Sequence, residues 1–289
     1  MSGRATEQPP VTRKPDSTRY DIEPTFFVVN PDTAISHMMR IYGYNEVQNI
    51  KEASIVLWGG GPDVHPMLYG QGMNPTCHVD FARDRRDIEA LRLINENQTL
   101  VGICRGAQFL NVMVGNGSLY QDVDGHATRS MHEAWTGEHA TERSIMVTST
   151  HHQMMIPGPN ASVLLRARQS FKKFGVSAKT PIKFYRGVTD LYEDPPQDVE
   201  AVLYYWSTTW SNVLCYQPHP EYMGSPSCDD NTEYFFELLE KYCLSKTVVE
   251  KAQDNRKARL KGFRDKRAKF INMKADQPHV EKVQGVSCG

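Results

Sequence analysis

In the first part of the chain, short apolar runs alternate with segments in which apolar residues recur every three or four positions. The apolar runs cover residues 26–29, 53–58 and 100–103, and their lengths and bounding turns predict buried strands. The helical segments cover residues 36–44, 84–96 and 107–114, with Asp84 placed to cap the second and Asp87 three residues on. This alternation predicts an α/β fold, a doubly wound and mostly parallel sheet with helices on both faces.

Extended segments dominate the later part of the chain. Apolar runs at residues 144–148, 162–165, 182–185, 199–205 and 212–216 predict further strands, and the last two are spaced to form a hairpin. Apolar side chains recur on one side of residues 232–244, which predicts a closing helix. The fold prediction therefore adds a β-rich C-terminal part to the doubly wound sheet.

Composition divides the chain into three parts. Residues 1–22 combine prolines and charges with almost no apolar side chains, so we expect a disordered N-terminal arm. Residues 23–245 are predicted to form one folded domain. Residues 246–289 form a basic tail, with eleven Lys or Arg against three acids between Lys246 and Lys274. Such a charge run is either a solvated helix or disordered tail, or a docking element for an acidic partner.

Charge and hydropathy restrict the environment of the protein more than its activity. The 289 residues carry a formal net charge of −1, without the basic excess that nucleic-acid or membrane binding usually requires. No apolar stretch reaches the roughly 18 residues of a membrane span, and residues 1–20 lack the apolar centre of a secretory signal. Six widely spaced cysteines suit free thiols in a reducing compartment. We therefore expect a soluble cytoplasmic protein, and its oligomeric state stays open.

A cysteine flanked by glycines carries the strongest chemical signal. In Gly102-Ile103-Cys104-Arg105-Gly106, the cysteine lies where a predicted strand meets a predicted helix. This is the pattern of a nucleophile elbow, a tight turn in which only small neighbours fit and the reactive atom projects above the sheet edge. The partial positive charge at the N-terminus of the following helix favours the reactive thiolate. Cys104 is therefore the predicted nucleophile.

A histidine and a carboxylate two residues apart offer the proton-handling partners. Alternate side chains of an extended segment share a face, so Glu221 can fix the tautomer of His219 while the other imidazole nitrogen faces the sulfur. The same H-x-E pair begins the zinc deaminase signature, but that signature needs a P-C-x-x-C pair, and the chain offers only Cys228. We therefore predict a triad of Cys104, His219 and Glu221.

The sequence predicts neither a metal nor a cofactor. His126, His132 and His139 are spaced six and then seven residues apart, and no single helix or strand places all three on one face. The chain also lacks a G-x-x-x-x-G-K-[ST] phosphate loop.

These motifs resemble the class I glutamine amidotransferases, and within them the branch of γ-glutamyl-γ-aminobutyrate hydrolase-like proteins. The resemblance covers about residues 26–244 and rests on three stretches, residues 61–70, 102–111 and 117–122. It implies a doubly wound α/β domain in which Cys104 attacks the side-chain carbonyl of a γ-glutamyl compound. His219 would relay the proton and Glu221 would orient the imidazole. A glutamyl thioester would form, and water would release glutamate.

The resemblance also implies the groups around the triad. Backbone N–H groups of Gly60 or Gly61 and of Arg105 would form the oxyanion hole, because glycines let a carbonyl approach the main chain closely. The implied substrate-binding residues are Gln108, His151, His152 and Gln153. A surface loop without function is the alternative for the paired histidines.

The chain departs from the family pattern at three positions. Trp58 stands where a proline is usual, and Pro62 follows the glycines as an insertion, which affects the oxyanion contacts. Pro218 replaces an aromatic residue and removes a backbone donor beside the predicted base.

Three functions are compatible with these motifs. The first is a free-standing hydrolase of small γ-glutamyl substrates, favoured by the branch-specific stretches. The second is a glutaminase subunit that supplies ammonia to a separate synthetase, with residues 246–289 as its docking element. The third is a non-catalytic binding protein that kept the fold, and the intact triad argues against it.

Overall fold

A computed structural model describes residues 23–123, 126–127, 130–136, 143–167, 183–187, 190–193, 198–205, 212–224 and 226–275. The arm predicted at residues 1–22 and the end of the basic tail at residues 276–289 lie outside these ranges.

The described residues form fourteen strands and five α-helices. The strands are β1 (Thr25–Val28), β2 (Asn45–Glu46), β3 (Ile55–Trp58), β4 (Thr99–Ile103), β5 (Ser118–Tyr120), β6 (Asp122–Val123), β7 (Ser130–Thr136), β8 (Ser144–Ser149), β9 (Met154–Ile156), β10 (Ser162–Ala167), β11 (Lys183–Arg186), β12 (Asp190–Glu193), β13 (Val199–Tyr205) and β14 (Asn212–Tyr216). The helices are α1 (Thr33–Ile41), α2 (Phe81–Leu91), α3 (Arg105–Met113), α4 (Pro226–Leu238) and α5 (Lys246–Ala275). Short 3-10 turns cover Ile50–Glu52 and Pro66–Tyr69, and a π-helical turn at Leu239–Cys243 continues α4.

One large sheet organises the domain, with the order β2-β1-β3-β4-β14-β13-β10-β7-β8. The first five strands in this order run parallel to one another, and the remaining pairings are antiparallel. β13 and β14 pair as the predicted hairpin, with Tyr205 opposite Asn212. Two small sheets, β12-β11-β6 and β5-β9, flank the large one. The predicted α/β class, with a doubly wound parallel part followed by a β-rich part, is confirmed.

The three central strands of the parallel part, β3, β4 and β14, are buried on both faces, and successive side chains enter different cores. In β3, Ile55 and Leu57 join a core with residues of α1, α4 and α5, whereas Val56 and Trp58 join a core with residues of α2 and α3. This alternation follows from the two-residue repeat of a strand, and it explains why β3 is apolar throughout. None of the helices in the described ranges combines the length and apolarity needed to cross a bilayer.

Three helices begin earlier than the sequence predicts, and in two of them the cap is a residue that was not predicted. α2 begins at Phe81, where Asp80 accepts hydrogen bonds from the backbone N–H groups of Ala82 and Arg83 at 2.8 and 3.1 Å, so the predicted cap Asp84 is wrong. α1 begins at Thr33 behind the cap Asp32, and α4 already begins at Pro226.

The basic segment after residue 245 forms the long helix α5, and its first half packs on the domain. Gly43 has a φ of +99°, and a Cβ atom there would lie 1.8 Å from the carbonyl oxygen of Ala252. Arg256 lies over the ring of Tyr42 at 4.0 Å, and Arg259 donates to the carbonyl of Tyr44 at 3.2 Å. Part of the basic charge therefore contacts the chain itself.

Candidate active site

The predicted nucleophile lies at the turn between β4 and α3. Cys104 has a φ of 53° and a ψ of −111°, a conformation that a non-glycine residue rarely adopts. Strain of this kind costs on the order of 1–3 kcal/mol and is typical of functional turns. The backbone holds the turn on both sides, because the N–H of Cys104 donates to Tyr216 O at 2.9 Å and its carbonyl accepts from the N–H of Gln108 at 3.1 Å.

The two glycines around the cysteine are required by close backbone contacts. A Cβ atom on Gly102 would lie 2.4 Å from Gly106 O, and one on Gly106 would lie 2.0 Å from Trp58 O. Both distances are shorter than the contacts that real Cβ atoms make. The contacted atoms belong to the backbone, which cannot move aside as a flexible side chain can. The sequence prediction of a tight elbow with obligatory small neighbours therefore has a direct structural counterpart.

His219 and Glu221 form a hydrogen-bonded pair in the segment that follows β14. Nδ1 of His219 lies 2.6 Å from Oε1 of Glu221, and both residues are buried. Neighbours fix the backbone of the histidine, because its N–H donates to Thr148 Oγ1 at 2.7 Å and its carbonyl accepts from Asn231 Nδ2 at 3.0 Å. The N–H of the base is thus fixed by Thr148, although Pro218 removes the preceding backbone donor.

The side chain of Cys104 is hydrogen-bonded to the imidazole of His219. Burial alone would lower the pKa of this histidine, but the charge of Cys104, the hydrogen bond between them and the Glu221 carboxylate together raise it to about 11. A thiolate beside an imidazolium is the reactive state of a cysteine nucleophile. The three predicted residues therefore lie in one hydrogen-bonded chain, in the order that the sequence predicts for a nucleophile, a base and an orienting acid.

The glycine turn after β3 lies directly against this chain. A Cβ atom on Gly60 would lie 3.0 Å from Cε1 of His219, so the turn packs against the imidazole. Gly61 has a φ of +145°, which favours glycine. The guanidinium of Arg83 stabilises the turn, because it donates to Gly60 O at 3.0 Å and to Gly59 O at 3.1 Å.

A buried ion cluster anchors both the turn and the elbow. Arg105 donates to Pro62 O at 3.1 Å, and its guanidinium forms ion pairs with Asp84 and Asp87. Asp87 also accepts from Arg83 at 3.1 Å. Burial raises the pKa of Asp84, and the nearby Arg105 partly offsets this effect. The side chain of Arg105 therefore ties the residue after the nucleophile to the turn that carries Gly60 and Gly61.

The glutamine residues predicted to bind substrate meet beside the elbow. Gln108 Nε2 donates to the carbonyl of Gln153 at 3.0 Å and to Oε1 of Gln217 at 3.2 Å. The side chain of Gln153 donates to the sulfur of Cys77 at 3.2 Å. Gln153 Oε1 has no hydrogen-bond partner among the described residues.

The paired histidines of the same loop have separate environments. His152 is partly exposed, and its Nε2 lies 2.9 Å from the Asp63 carboxylate, whose hydrogen bond is the main reason that the pKa of His152 is raised. His151 is buried, and burial together with the neighbouring His126 lowers its pKa to about 3. Its Nδ1 contacts the carbonyl of Gln153 at 2.9 Å.

Several site residues were missed by the sequence analysis. The spacing of Arg83 and Asp87 indicates an i,i+4 ion pair on a helix. It does not indicate that Arg83 binds the carbonyls of the distant glycine turn. Thr148, Asn231 and Gln217 gave no signal, since their contacts join segments that are far apart in the chain.

Together, the fold and the site bring a cysteine, a histidine and a glutamate into contact at one edge of a parallel sheet, as in cysteine-dependent α/β hydrolases. The sequence model of the Peptidase C26 family matches residues 45–172. The glutamine amidotransferase-like protein YvdE of Lactococcus lactis subsp. lactis is 28% identical over 183 residues, which cover 61% of this chain and 77% of that protein. A homolog of YvdE from L. lactis subsp. cremoris is 30% identical over 143 residues, 42% of this chain and 76% of that protein.

Solved structures that match this chain include PurLQS and a glutamine amidotransferase, both from Thermotoga maritima. The first matches with a TM-score of 0.44 at 15% identity, over 81% of this chain and 98% of that one. The second matches with a TM-score of 0.44 at 13% identity, over 83% of this chain and 94% of that one. The chain belongs to the class I glutamine amidotransferase-like family. This membership supports a role in the hydrolysis or transfer of a glutamine amide.

Proposed function

We propose that this protein hydrolyses the γ-glutamyl amide bond of a small substrate through a γ-glutamyl thioester. Cys104 is the nucleophile, His219 the proton carrier and Glu221 the acid that orients it. The observation that carries this proposal is the chain of contacts from the strained Cys104 through His219 to Glu221, with 2.6 Å between the last two side chains. The family relationship supports the choice of an amide of glutamate as the scissile bond.

In the first half of the reaction, the thiolate of Cys104 attacks the side-chain carbonyl of the γ-glutamyl group. The Glu221 contact occupies Nδ1 of His219, which leaves Nε2 to deliver a proton to the departing amine or ammonia. The C–N bond breaks and a thioester remains. In the second half, His219 takes a proton from water, which attacks the thioester and releases glutamate.

Backbone N–H groups of the glycine turn and of Arg105 are proposed to stabilise the oxyanion that forms in each half. The position of Gly60 against His219 supports this assignment, since the turn lies beside the reacting groups. Fixed donors are effective because they need no reorganisation when charge develops, and losing one typically costs about 10²–10³ in rate. The Arg83 and Arg105 contacts supply the rigidity that such donors require.

Gln108 and Gln153 are proposed to bind the glutamyl part of the substrate. The buried Oε1 of Gln153 has no partner among the described residues, so it is available to a donor such as the α-ammonium group of glutamate. The resemblance of residues 61–70 and 117–122 to the γ-glutamyl-γ-aminobutyrate hydrolase-like branch favours a γ-glutamyl conjugate over glutamine.

The test is a mass-spectrometric screen of γ-glutamyl compounds with the wild-type protein and the Cys104→Ala variant. We expect the wild-type protein to release glutamate from at least one conjugate, and Cys104→Ala to lose this activity. We also expect to trap a wild-type adduct that is one glutamyl group heavier than the chain. Cys228→Ala is a matched control, because Cys228 is a partly buried cysteine of α4 outside the proposed site.

The screen also separates the hydrolase from a glutaminase subunit. A subunit that feeds ammonia to a synthetase would act on glutamine alone, weakly, and would be stimulated by its partner. Activity on γ-glutamyl conjugates at a rate that no partner raises supports the free-standing hydrolase. A wild-type protein that neither turns over these substrates nor reacts with a glutamine-analogue electrophile at Cys104 would refute the proposal.

A further inference from the structure

Beside the catalytic edge, three histidines and two carboxylates form a buried cluster. His126 follows β6, His132 lies on β7, and His151 follows β8. Asp198 directly precedes β13, and Glu200 lies on this strand. None of the five residues is more than 9% exposed. So many ionisable side chains in an interior need specific partners, because an unpaired buried charge is strongly unfavourable.

Three of these side chains each bring one possible ligand atom into a small common region. The ligand atoms of His126, His151 and Glu200 all lie within 4.8 Å of one another. Oε2 of Glu200 lies 3.9 Å from Nε2 of His151. A tetrahedral site with bonds of about 2.1 Å separates its ligand atoms by about 3.4 Å. An inward movement of about 0.5 Å would therefore bring this pair to the spacing of a metal site.

The atom of each side chain that points away from this centre is held by a second partner. Nε2 of His126 lies 3.2 Å from Asp198, Nδ1 of His151 lies 2.9 Å from the carbonyl of Gln153, and Oε1 of Glu200 lies 2.8 Å from Nε2 of His132. Metal-binding histidines are commonly oriented in this way by a carboxylate or a backbone carbonyl. These contacts leave Nε2 of His151 as the lone-pair atom of a neutral ring, and Nδ1 of His126 lies 3.5 Å from the hydroxyl oxygen of Ser149.

Two polar atoms of this cluster make no hydrogen bond within the described part of the chain. Among the described residues, neither Nε2 of His151 nor Oε2 of Glu200 has a hydrogen-bond partner. Both side chains are about 1% exposed or less, and a buried polar atom without a partner costs about 1–3 kcal/mol. A cation at the centre would satisfy both atoms at once.

We infer that His126, His151 and Glu200 form a binding site for a divalent transition-metal ion, with Zn²⁺ as the best match to two imidazoles and one carboxylate. The spacing of the histidines predicted no metal, because no single helix or strand can present several of them on one face. The ligands instead come from three segments that the sheet brings together. His139, the third histidine of the sequence pattern His126, His132 and His139, lies outside the described residues.

Such an ion would brace the loop that supports the proposed base and substrate site. The carbonyl of Gln153 accepts from both His151 and Gln108, and Thr148, three residues before His151, binds the N–H of His219. The backbone of Glu200 is also bonded to this region, since its carbonyl accepts from the N–H of Gln217 at 2.8 Å. The ion is thus placed to stabilise the site without touching the reacting atoms.

The experiment uses the full-length Cys104→Ala protein, so that the nucleophilic thiol cannot act as a metal ligand. Chelator-treated protein is titrated with ZnCl₂ and with CoCl₂, and bound metal, melting temperature and the cobalt absorption spectrum are measured. We expect one ion per chain, a rise in melting temperature with Zn²⁺, and a cobalt spectrum without sulfur-to-metal charge transfer. Failure to retain either metal would overturn the inference, whatever the enzyme activity.

Single substitutions of the proposed ligands and of their partners test where the ion binds. Glu200→Gln and His151→Asn should abolish stoichiometric binding, and Asp198→Asn, which changes only an outer partner, should weaken it by roughly 10- to 100-fold. His37→Asn is the control, because His37 is an exposed histidine of α1. Undiminished binding in the first two variants would refute the assignment. If these two variants do not fold, unchanged affinity in Asp198→Asn would refute it instead.

Discussion

Arg105 offers a sharp test of how the turn beside the nucleophile is held in place. Its guanidinium is 2% exposed and forms ion pairs with Asp84 and Asp87, which are 6% and 0% exposed. It also donates to the carbonyl of Pro62. The variant Arg105→Met keeps much of the side-chain volume but removes the charge and all of these hydrogen bonds.

The expected loss of stability follows from burial. Removing one partner of a buried ion pair leaves the other charge uncompensated and typically costs about 3–5 kcal/mol. A matched control exists on α2, where Arg85 pairs with Glu89 at 3.0 Å but the side chains are 81% and 53% exposed. Exposed pairs contribute about 0–1 kcal/mol, so Arg85→Met should change the free energy of unfolding by no more than this.

Urea unfolding followed by circular dichroism measures both variants. We expect a lower midpoint for Arg105→Met at an unchanged denaturant slope, so that the difference is one of stability. Arg105→Lys should recover part of the loss, because it restores the charge but not the planar fork that reaches two carboxylates and a carbonyl. If Arg105→Met and Arg85→Met lose the same free energy, the cluster does not anchor the turn and the reasoning fails.

Three further predictions concern the base. Gly60→Ala should lower kcat, with little loss of stability, because the added Cβ would lie 3.0 Å from Cε1 of His219; steady-state kinetics and melting curves test this, and unchanged kcat counts against it. Thr148→Val should cost about 1–3 kcal/mol in urea unfolding by leaving the buried N–H of His219 unpaired, whereas Thr148→Ser should not; equal losses would contradict this. Burial lowers the pKa of His219, but Cys104 and Glu221 raise it to about 11. The imidazolium therefore stabilises the fold fully below its ordinary pKa of 6.5, and this contribution is lost as the pH rises toward 11. In Cys104→Ala the titration followed by NMR should move to lower pH, and an unmoved curve would show that the thiol does not face the ring.

The local parts of the fold and of the site were predictable from the sequence because short-range rules determine them. The apolar runs became β1, β3 and β4, and the β13–β14 hairpin forms within the predicted residues. The elbow around Cys104 was visible because its close contacts need glycine at both flanking positions. The pair His219 and Glu221 was visible because the two residues are close in the sequence, although a turn at residues 220–221 and not an extended segment brings them together.

What the sequence did not predict depends on contacts between distant segments. The sequence indicated Asp84 as the cap of α2, but Asp80 is the cap, and Asp84 lies inside the helix and pairs with the distant Arg105. β7 was not predicted, although its side chains at His132 and Trp135 lie within the large sheet, because its apolar and polar residues give no clear repeat. The contact between His132 and Glu200 joins residues 68 positions apart, and no local pattern encodes it.

The position of the site follows from one feature of the sheet, the change from parallel to antiparallel pairing at β14. β3, β4 and β14 are parallel neighbours, and their register aligns Trp58, Gly102 and Cys215 in one row. The glycine turn, Cys104 and His219 therefore leave the sheet at the same edge, where the ligand sites of open α/β sheets lie. β13 runs the opposite way, so its first residues, including Glu200, begin at this edge. A parallel β13 would place Glu200 at the far end of the sheet. The antiparallel turn thus makes the proposed metal cluster a neighbour of the triad, and loss of the ion should disturb the base before it disturbs the nucleophile.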